Sequence, residues 1–112
     1  MGYDLHVTRK EFWCDETGSE ISLDEWIRYA LSDGEIQPDP ENPGDENWIV
    51  VLGADSWPLW WSATGEIYTK NPEAAMIQKL ISIANALSAR VLGDDEEVYR
   101  TDLFGAISME RR

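Results

Sequence analysis

The chain is poor in the side chains that carry most protein chemistry. Its 112 residues include one cysteine, Cys14, and one histidine, His6. A lone cysteine excludes a disulfide within the chain and fits a reducing compartment. One cysteine and one histidine are too few ligands for a zinc site, and no glycine-rich phosphate-binding motif occurs. The sequence therefore predicts no metal site and no cofactor.

Basic residues are also scarce. Nine Lys and Arg stand against 22 Asp and Glu, which gives a formal net charge of -13 and a pI near 4.2. Such a surface repels phosphate backbones and anionic lipids, so we expect neither nucleic acid nor membrane as a partner. Two stretches concentrate the charge: residues 33–47 hold six acids and no base, and residues 94–97 are four consecutive acids. The simplest alternative is that the charge only maintains solubility.

Long apolar runs are missing as well. None approaches the ~20 residues of a membrane span. The first ten residues, MGYDLHVTRK, are charged and contain no apolar segment typical of a signal peptide. We therefore expect a cytoplasmic protein. The length is that of one domain, residues 1–112, with a single core.

Hydrophobic periodicity is present and predicts the element order β, α, β, β, β, α, β, β. In YDLHVTR (3–9), apolar and polar residues alternate, as in a strand with one packed face. Two continuous segments, WIVVLG (48–53) and SWPLWWSA (56–63), lead through a turn to EIYTK (66–70) as a meander. ARVLGDDEEVYR (89–100) reads as a hairpin. The prediction is an α+β fold with an antiparallel-dominated sheet of five or six strands, both helices on one face and the other face partly open.

Both helices have recognisable starts. Ser22 and Glu25 form a capping box before a stripe containing Trp26, and Gly34 is placed to end this helix. Asn71 is predicted to cap the second helix, with Pro72 at its first position. The apolar stripes are Leu23, Trp26, Ile27, Ala30 and Leu31 in the first helix, and Met76, Ile77, Leu80, Ile83, Ala84 and Leu87 in the second.

The segment SWPLWW holds three of the six tryptophans. Strand alternation sends Trp57 and Trp61 to one face and Trp60 to the other. Trp60 is then the tryptophan expected at the surface, whereas Trp57 and Trp61 join Trp26 and Trp48 in the core. Pro58 cannot donate to a ladder, so this part of the strand should lie at an edge or a bulge.

The proline-rich segment 35–47 predicts a turn-rich surface loop. A calcium-binding loop is the sharper alternative, because acids recur at Asp39, Glu41 and Asp45. The spacing argues against it, since Pro43 and Val50 fall where an EF-hand places an oxygen ligand and a bidentate Glu.

Catalysis has little support in the sequence. A nucleophile would need Cys14 or a serine activated by His6, but His6 lies in mid-strand at an outward position and no elbow motif surrounds Cys14. Both residues read more simply as a surface or half-buried imidazole and a spectator thiol. We therefore expect no enzyme.

Several segments carry a resemblance to a known group of proteins. YDLHVTRKEFW, ISLDEWIRYALSD, KNPE and ALSARVLGDDEEVY resemble small acidic bacterial proteins without assigned activity, which look like immunity proteins of bacterial toxin systems. The resemblance implies binding and neutralisation of a cognate toxin, and it implies no catalytic residue. This chain departs from the group at Ser88, where the group often has Gly at the helix end.

The function predicted from these features is that of an immunity-type protein. Its acidic loops would steer association with a toxin that has a basic active-site cleft and would occlude that cleft, with aromatic side chains as anchors. The alternative is a small-molecule or carbohydrate-binding domain, or an accessory subunit, that uses the open sheet face. The residues predicted to contact the partner are Asp39, Glu41, Asp45, Glu46, Trp60, Tyr68, Asp94, Asp95, Glu96, Glu97 and Tyr99.

Overall fold

The computed structural model describes residues 3–95, 97–102 and 104–111. The described residues form two helices, α1 (Leu23–Ser32) and α2 (Ala74–Ala86). They also form eight strands: β1 (Asp4–Thr8), β2 (Ile36–Pro38), β3 (Asn47–Leu52), β4 (Asp55–Ser62), β5 (Glu66–Lys70), β6 (Arg90–Gly93), β7 (Val98–Thr101) and β8 (Ile107–Glu110). The α+β class is confirmed.

The described strands make one antiparallel sheet in the order β2-β3-β4-β5-β1-β6-β7-β8. The expectation of five or six strands was therefore wrong in number. Both additional strands, β2 and β8, lie at the edges. Pro38 ends β2, a position where its missing N–H costs no central ladder bond, so a proline-rich segment could still supply an edge strand.

Strand register fixes which residues share a face. Val7 of β1 pairs with Ile67 of β5 and with Val91 of β6, and these side chains are buried against the helices. Both helices contribute to the same cluster, so both pack on this face, as predicted. The core cluster contains Leu5, Val7, Ile21, Trp26, Ala30, Ile36, Trp48, Val50, Leu59, Ile67, Met76, Leu80, Ile81, Ile83, Ala84, Leu87 and Val91.

The tryptophans divide as the alternation predicts. Trp26 and Trp48 are buried and meet edge to face with ring centroids 6.1 Å apart. Trp57 and Trp61 are half-buried and pack on the same core, and Trp61 Nε1 donates to the Ile21 carbonyl at 2.8 Å. Trp60 lies on the opposite face and is half-buried.

Three details at the helix ends differ from the expectations. Leu31 is 70% exposed, so the stripe of α1 stops at Ala30. Gly34 is not among the glycines with positive φ, and Asp33 is the C-cap of α1. Asn71 does not cap α2, which begins after Glu73; Asn71 instead accepts from the Tyr3 N–H at 3.0 Å and extends the pairing of the strands.

The helices in the described residues are short or interrupted by polar side chains. None of them has the length and apolar character that a membrane crossing requires.

The end of α2 places Ser88 in the left-handed region, with φ at 55°. This is the position that follows the helix C-cap Leu87, where glycine adopts such a conformation without steric cost. An L side chain in this region is strained, typically by about 1–2 kcal/mol.

Ser88→Gly is therefore expected to raise the free energy of unfolding by about 0.5–1 kcal/mol, because it removes this strain. The matched control is Ser32→Gly at the last residue of α1, which should lower the free energy of unfolding by about 0.5 kcal/mol because glycine is a poorer helix former than serine. Urea unfolding of both variants measures the effect. A loss of stability in Ser88→Gly would contradict the strain argument.

Candidate functional site: the second face of the sheet

The face of the sheet opposite the helices carries the polar and aromatic residues of the central strands. His6 of β1 pairs with Tyr68 of β5, and Tyr68 in turn pairs with Trp60 of β4. Ser62 of β4 and Glu66 of β5 form the next pair on this face. These side chains share one face because successive residues of a strand alternate between faces.

Residues 9–21, which connect β1 to α1, cover part of this face. Trp13 stacks on His6, with ring centroids 3.9 Å apart and an interplanar angle of 3°. Lys10 is 2% exposed, and its Nζ donates to the Asp15 carbonyl at 2.9 Å. The end of this segment contacts the β4–β5 turn, where the Ile21 N–H donates to the Gly65 carbonyl at 2.9 Å. Gly65 has φ 83° and a Cβ there would lie 2.3 Å from the Glu20 Cβ, so only glycine fits.

His6 is the centre of the site. Its Nδ1 lies 2.8 Å from Glu66 Oε1 and its Nε2 lies 2.9 Å from Asp94 Oδ1. The side chain lies on the outward face, as alternation predicts, but the imidazole is 3% exposed, so the expectation of a surface or half-buried histidine was wrong. The reason is the covering segment with Trp13, which buries a position that alternation alone directs away from the main core.

Two carboxylate acceptors favour the doubly protonated imidazolium, because both ring nitrogens then donate. Burial by itself lowers the pKa of His6, but the hydrogen bonds with Glu66 and Asp94 and the charges of both outweigh it. The pKa of His6 is therefore raised above its ordinary value. The geometry thus favours His6 as a buried cation held between two carboxylates.

Four aromatic rings form a continuous row across this face. Trp13 stacks on His6, the His6 and Tyr68 centroids are 6.3 Å apart, and the Tyr68 and Trp60 centroids are 5.1 Å apart. Trp60 and Tyr68, both predicted as partner contacts, are thus brought together. Each is half-buried, so one part of each ring packs and the other part remains accessible.

A cavity of about 390 Å³ opens beside this row. Its size falls in the range of small-molecule sites. The wall consists of Asp4, His6, Trp13, Cys14, Ser62, Thr64, Glu66 and Tyr68. Burial, together with the charges of Asp4 and Glu66, raises the pKa of Tyr68.

The acidic loop, residues 39–46 between β2 and β3, borders the same face. Of its four acids, Glu41, Asp45 and Glu46 are exposed and Asp39 is half-buried. Asn47, which follows the loop, pairs with Trp60, and the Trp61 N–H donates to the Glu46 carbonyl at 3.0 Å. Asp39 accepts from the Glu41 N–H at 2.9 Å, an arrangement that shapes the turn. The loop is therefore next to Trp60.

The described residues of the second acidic cluster, Asp94, Asp95 and Glu97, lie apart from loop 39–46. β3 and β6 are four strand spacings apart along the sheet, about 19 Å at ~4.8 Å each, and the two clusters are at opposite strand ends. Asp94 is engaged by His6, and Glu97 is 2% exposed and therefore not accessible to a partner here. Asp95 is exposed, and Glu96 lies outside the described residues.

Tyr99 is separated from the other predicted anchors. It pairs with Val91, so it lies on the helix-covered face and packs against the core there. A single flat partner surface cannot contact Tyr99 and Trp60 together. The structure thus joins loop 39–46 with Trp60 and Tyr68. Asp94 reaches this face only through its bond with His6, Glu97 is buried, and Tyr99 lies on the other face.

The cavity also brings the sole histidine and the sole cysteine to one place. Both ring nitrogens of His6 are occupied by carboxylates, and Asp94 stands where a nucleophile would meet Nε2 in a catalytic pair. In this geometry His6 does not serve as a base for Cys14. Among the described residues, no group of three or more His, Cys, Asp or Glu side chains is arranged to hold a metal ion.

Comparisons with family models, with curated proteins and with solved structures find no match to this chain.

The raised pKa of His6 predicts a pH dependence of stability. A group whose pKa is higher in the folded than in the unfolded state stabilises the fold fully below the unfolded pKa, and this contribution is lost as pH rises through the folded pKa. We expect the free energy of unfolding to fall above about pH 6.5, by about 1.4 kcal/mol for each unit by which the folded pKa is raised. Urea unfolding between pH 5.5 and 9 measures it.

His6→Gln is the control, because the chain has no other histidine and glutamine keeps a hydrogen-bonding side chain. Subtracting the pH profile of this variant removes the contribution of the α-amino group, which titrates in the same pH range. The titratable groups that contact His6 are Glu66, Asp94 and Tyr68, and Asp4 and Cys14 lie on the same cavity wall. A profile that rises with pH in the native sequence, or an equal slope in His6→Gln, would refute the imidazolium assignment.

Proposed function

We propose that this chain is an immunity-type protein that binds a cognate protein toxin and covers a basic cleft on it. The observation that carries the proposal is the position of loop 39–46 next to the half-buried Trp60 and Tyr68. Exposed carboxylates beside an accessible aromatic pair supply both elements of a protein interface: long-range attraction to a basic surface, and anchors of the residue types that dominate binding energy.

The disposition of the basic side chains supports the same function. Arg9 donates to Glu25 and, through Nε, to the Leu87 carbonyl at 2.9 Å. Lys79 Nζ is 2.8 Å from Asp33 and 2.6 Å from Glu35. Arg90 donates to the Lys10 carbonyl, and Lys10 itself is buried. Since these cations are held in internal contacts, the field that a partner meets is dominated by carboxylates.

The occupied ring nitrogens of His6 favour binding over catalysis as the role of this face. A cation fixed between Glu66 and Asp94 stabilises the arrangement of strands that presents Tyr68. The proposal is narrower than the sequence prediction in one respect. It places the contact at loop 39–46, Trp60 and Tyr68, because Asp94 is held by His6, Glu97 is buried and Tyr99 lies on the other face of the sheet.

Electrostatic steering gives the proposal a kinetic signature. A toxin is first identified as the protein that copurifies with the chain and whose toxicity is relieved by coexpression. Its association rate with the chain should fall steeply with added salt, whereas the dissociation rate changes little. Stopped-flow or surface-based kinetics at several ionic strengths measures both rates. An association rate that does not depend on salt would contradict steering.

The location of the contact is tested by two charge-matched double variants. Asp45→Asn with Glu46→Gln should lower the association rate about tenfold at low ionic strength, because steering depends on charge close to the contact. Asp24→Asn with Asp55→Asn changes the net charge equally at exposed positions away from loop 39–46 and should have a smaller effect. Equal effects of the two pairs would place the contact elsewhere.

The anchoring role of the aromatic pair is read from the dissociation rate. Trp60→Ala should accelerate dissociation by at least about tenfold, because truncation of a hot-spot tryptophan commonly costs ~2 kcal/mol or more. Tyr99→Phe on the other face is the control. Unchanged dissociation in Trp60→Ala, with the fold intact by circular dichroism, would remove Trp60 from the interface.

A further inference from the structure

The cavity beside the aromatic row has a charge that its own residues do not balance. Its wall holds two carboxylates, Asp4 and Glu66, and one imidazole, His6, whose other ring nitrogen is bonded to a third carboxylate, Asp94, outside the wall. Lys70 lies opposite Asp4 in the strand register, but it is exposed and does not form part of the cavity wall. The site therefore retains an excess of negative charge next to a partly enclosed space.

One carboxylate oxygen of Glu66 lacks a hydrogen-bond donor in the described part of the chain. It is 5% exposed, and its Oε1 accepts from His6, but its Oε2 is buried and has no hydrogen-bond partner among the described residues. A buried carboxylate oxygen that has lost its water and gained no donor is destabilising. A ligand that brings N–H donors into the cavity would remove this cost.

The remaining wall suits a flat or compact organic cation. The rings of Trp13 and Tyr68 line the cavity, and aromatic faces attract cations electrostatically. Ser62 and Thr64 add hydroxyl groups that can accept hydrogen bonds. Donors alone, with no acceptor, are what guanidinium and ammonium groups present.

We propose that this cavity is a binding site for an organic monocation, a guanidinium or alkylammonium group, held by Glu66 and Asp4 between the rings of Trp13 and Tyr68. The cation is either a free small molecule or an arginine or lysine side chain inserted by a protein partner; the chemistry of recognition is the same for both. The site does not depend on the proposed toxin partner, because it is defined by the cavity itself.

The test titrates the purified chain with n-butylguanidinium and, in parallel, with n-butylurea, which has nearly the same shape but no charge. The readout is the indole Nε1–H resonance of Trp13 in a ¹H–¹⁵N spectrum, assigned with Trp13→Phe. This N–H is buried and has no partner within the described residues, so it reports on the cavity. We expect a saturable shift with n-butylguanidinium and none with n-butylurea.

Two variants and a control locate the site. Asp4→Asn should weaken binding about tenfold, through loss of one charge contact. Glu66→Gln should weaken it further, and a near-native spectrum is required before it is used, because Glu66 also holds His6. Asp55→Asn removes the same charge at the exposed start of β4 and should leave binding unchanged.

A third ligand distinguishes the two sources of the cation. Acetyl-Gly-Arg-Gly-amide presents the guanidinium as a protein would. Tighter binding of this peptide than of n-butylguanidinium identifies an inserted side chain, and weaker binding identifies a free small cation. The proposal is overturned if n-butylguanidinium gives no saturable shift, if n-butylurea shifts the resonance equally, or if Asp4→Asn and Asp55→Asn bind alike. Loss of toxin binding in Trp60→Ala with cation binding retained would separate this site from the proposed interface.

Discussion

The hydrogen-bonded group of His6, Glu66 and Asp94 is the interaction on which the second face of this sheet depends. It joins the middle strand β1 to β5 on one side and to the turn after β6 on the other, with both contacts under 3 Å. The three groups stabilise one another, because an isolated buried charge would be neutralised, whereas charges that pair through hydrogen bonds can remain buried. Trp13 then closes over the imidazole, so the same group that fixes the strands also creates the enclosed wall of the cavity.

This arrangement is one case of a division of charge throughout the described chain. Cations are drawn inward: His6 and Lys10 are buried, and Lys79 bridges the end of α1 to α2 through Asp33 and Glu35. The carboxylates that remain are mostly outside and without a cation. An ion pair between an internal cation and a carboxylate supports the fold. It also keeps that positive charge away from the surface. Arg28, Lys70 and Arg100 are exposed but are outnumbered by exposed carboxylates, so the net charge of -13 gives the surface a negative field.

Local patterns in the sequence were sufficient for much of the fold. The 3.6-residue and two-residue periods located both helices and the central strands, and alternation assigned Trp60 and Trp61 to opposite faces. The edge strand β2 was hidden by prolines, and β8 by a lack of alternation. The site could not be found in this way, since Glu66 and Asp94 are 60 and 88 residues from His6. A strand position gives the face on which a side chain lies, but neither its neighbours across the sheet nor the segment that covers it.

Tyr68 belongs to two features at once, because its ring pairs with Trp60 at the accessible surface and also lines the cavity. A protein bound at Trp60 and a cation bound in the cavity would therefore contact the same side chain. Whenever two ligands share a contact, the affinity of each depends on the other by the same factor. If the cation is a side chain of the protein partner, both contacts form in a single binding event. Translational and rotational entropy is then lost only once. The physical connection between surface and cavity is thus a single tyrosine ring, held in register by the buried histidine beside it.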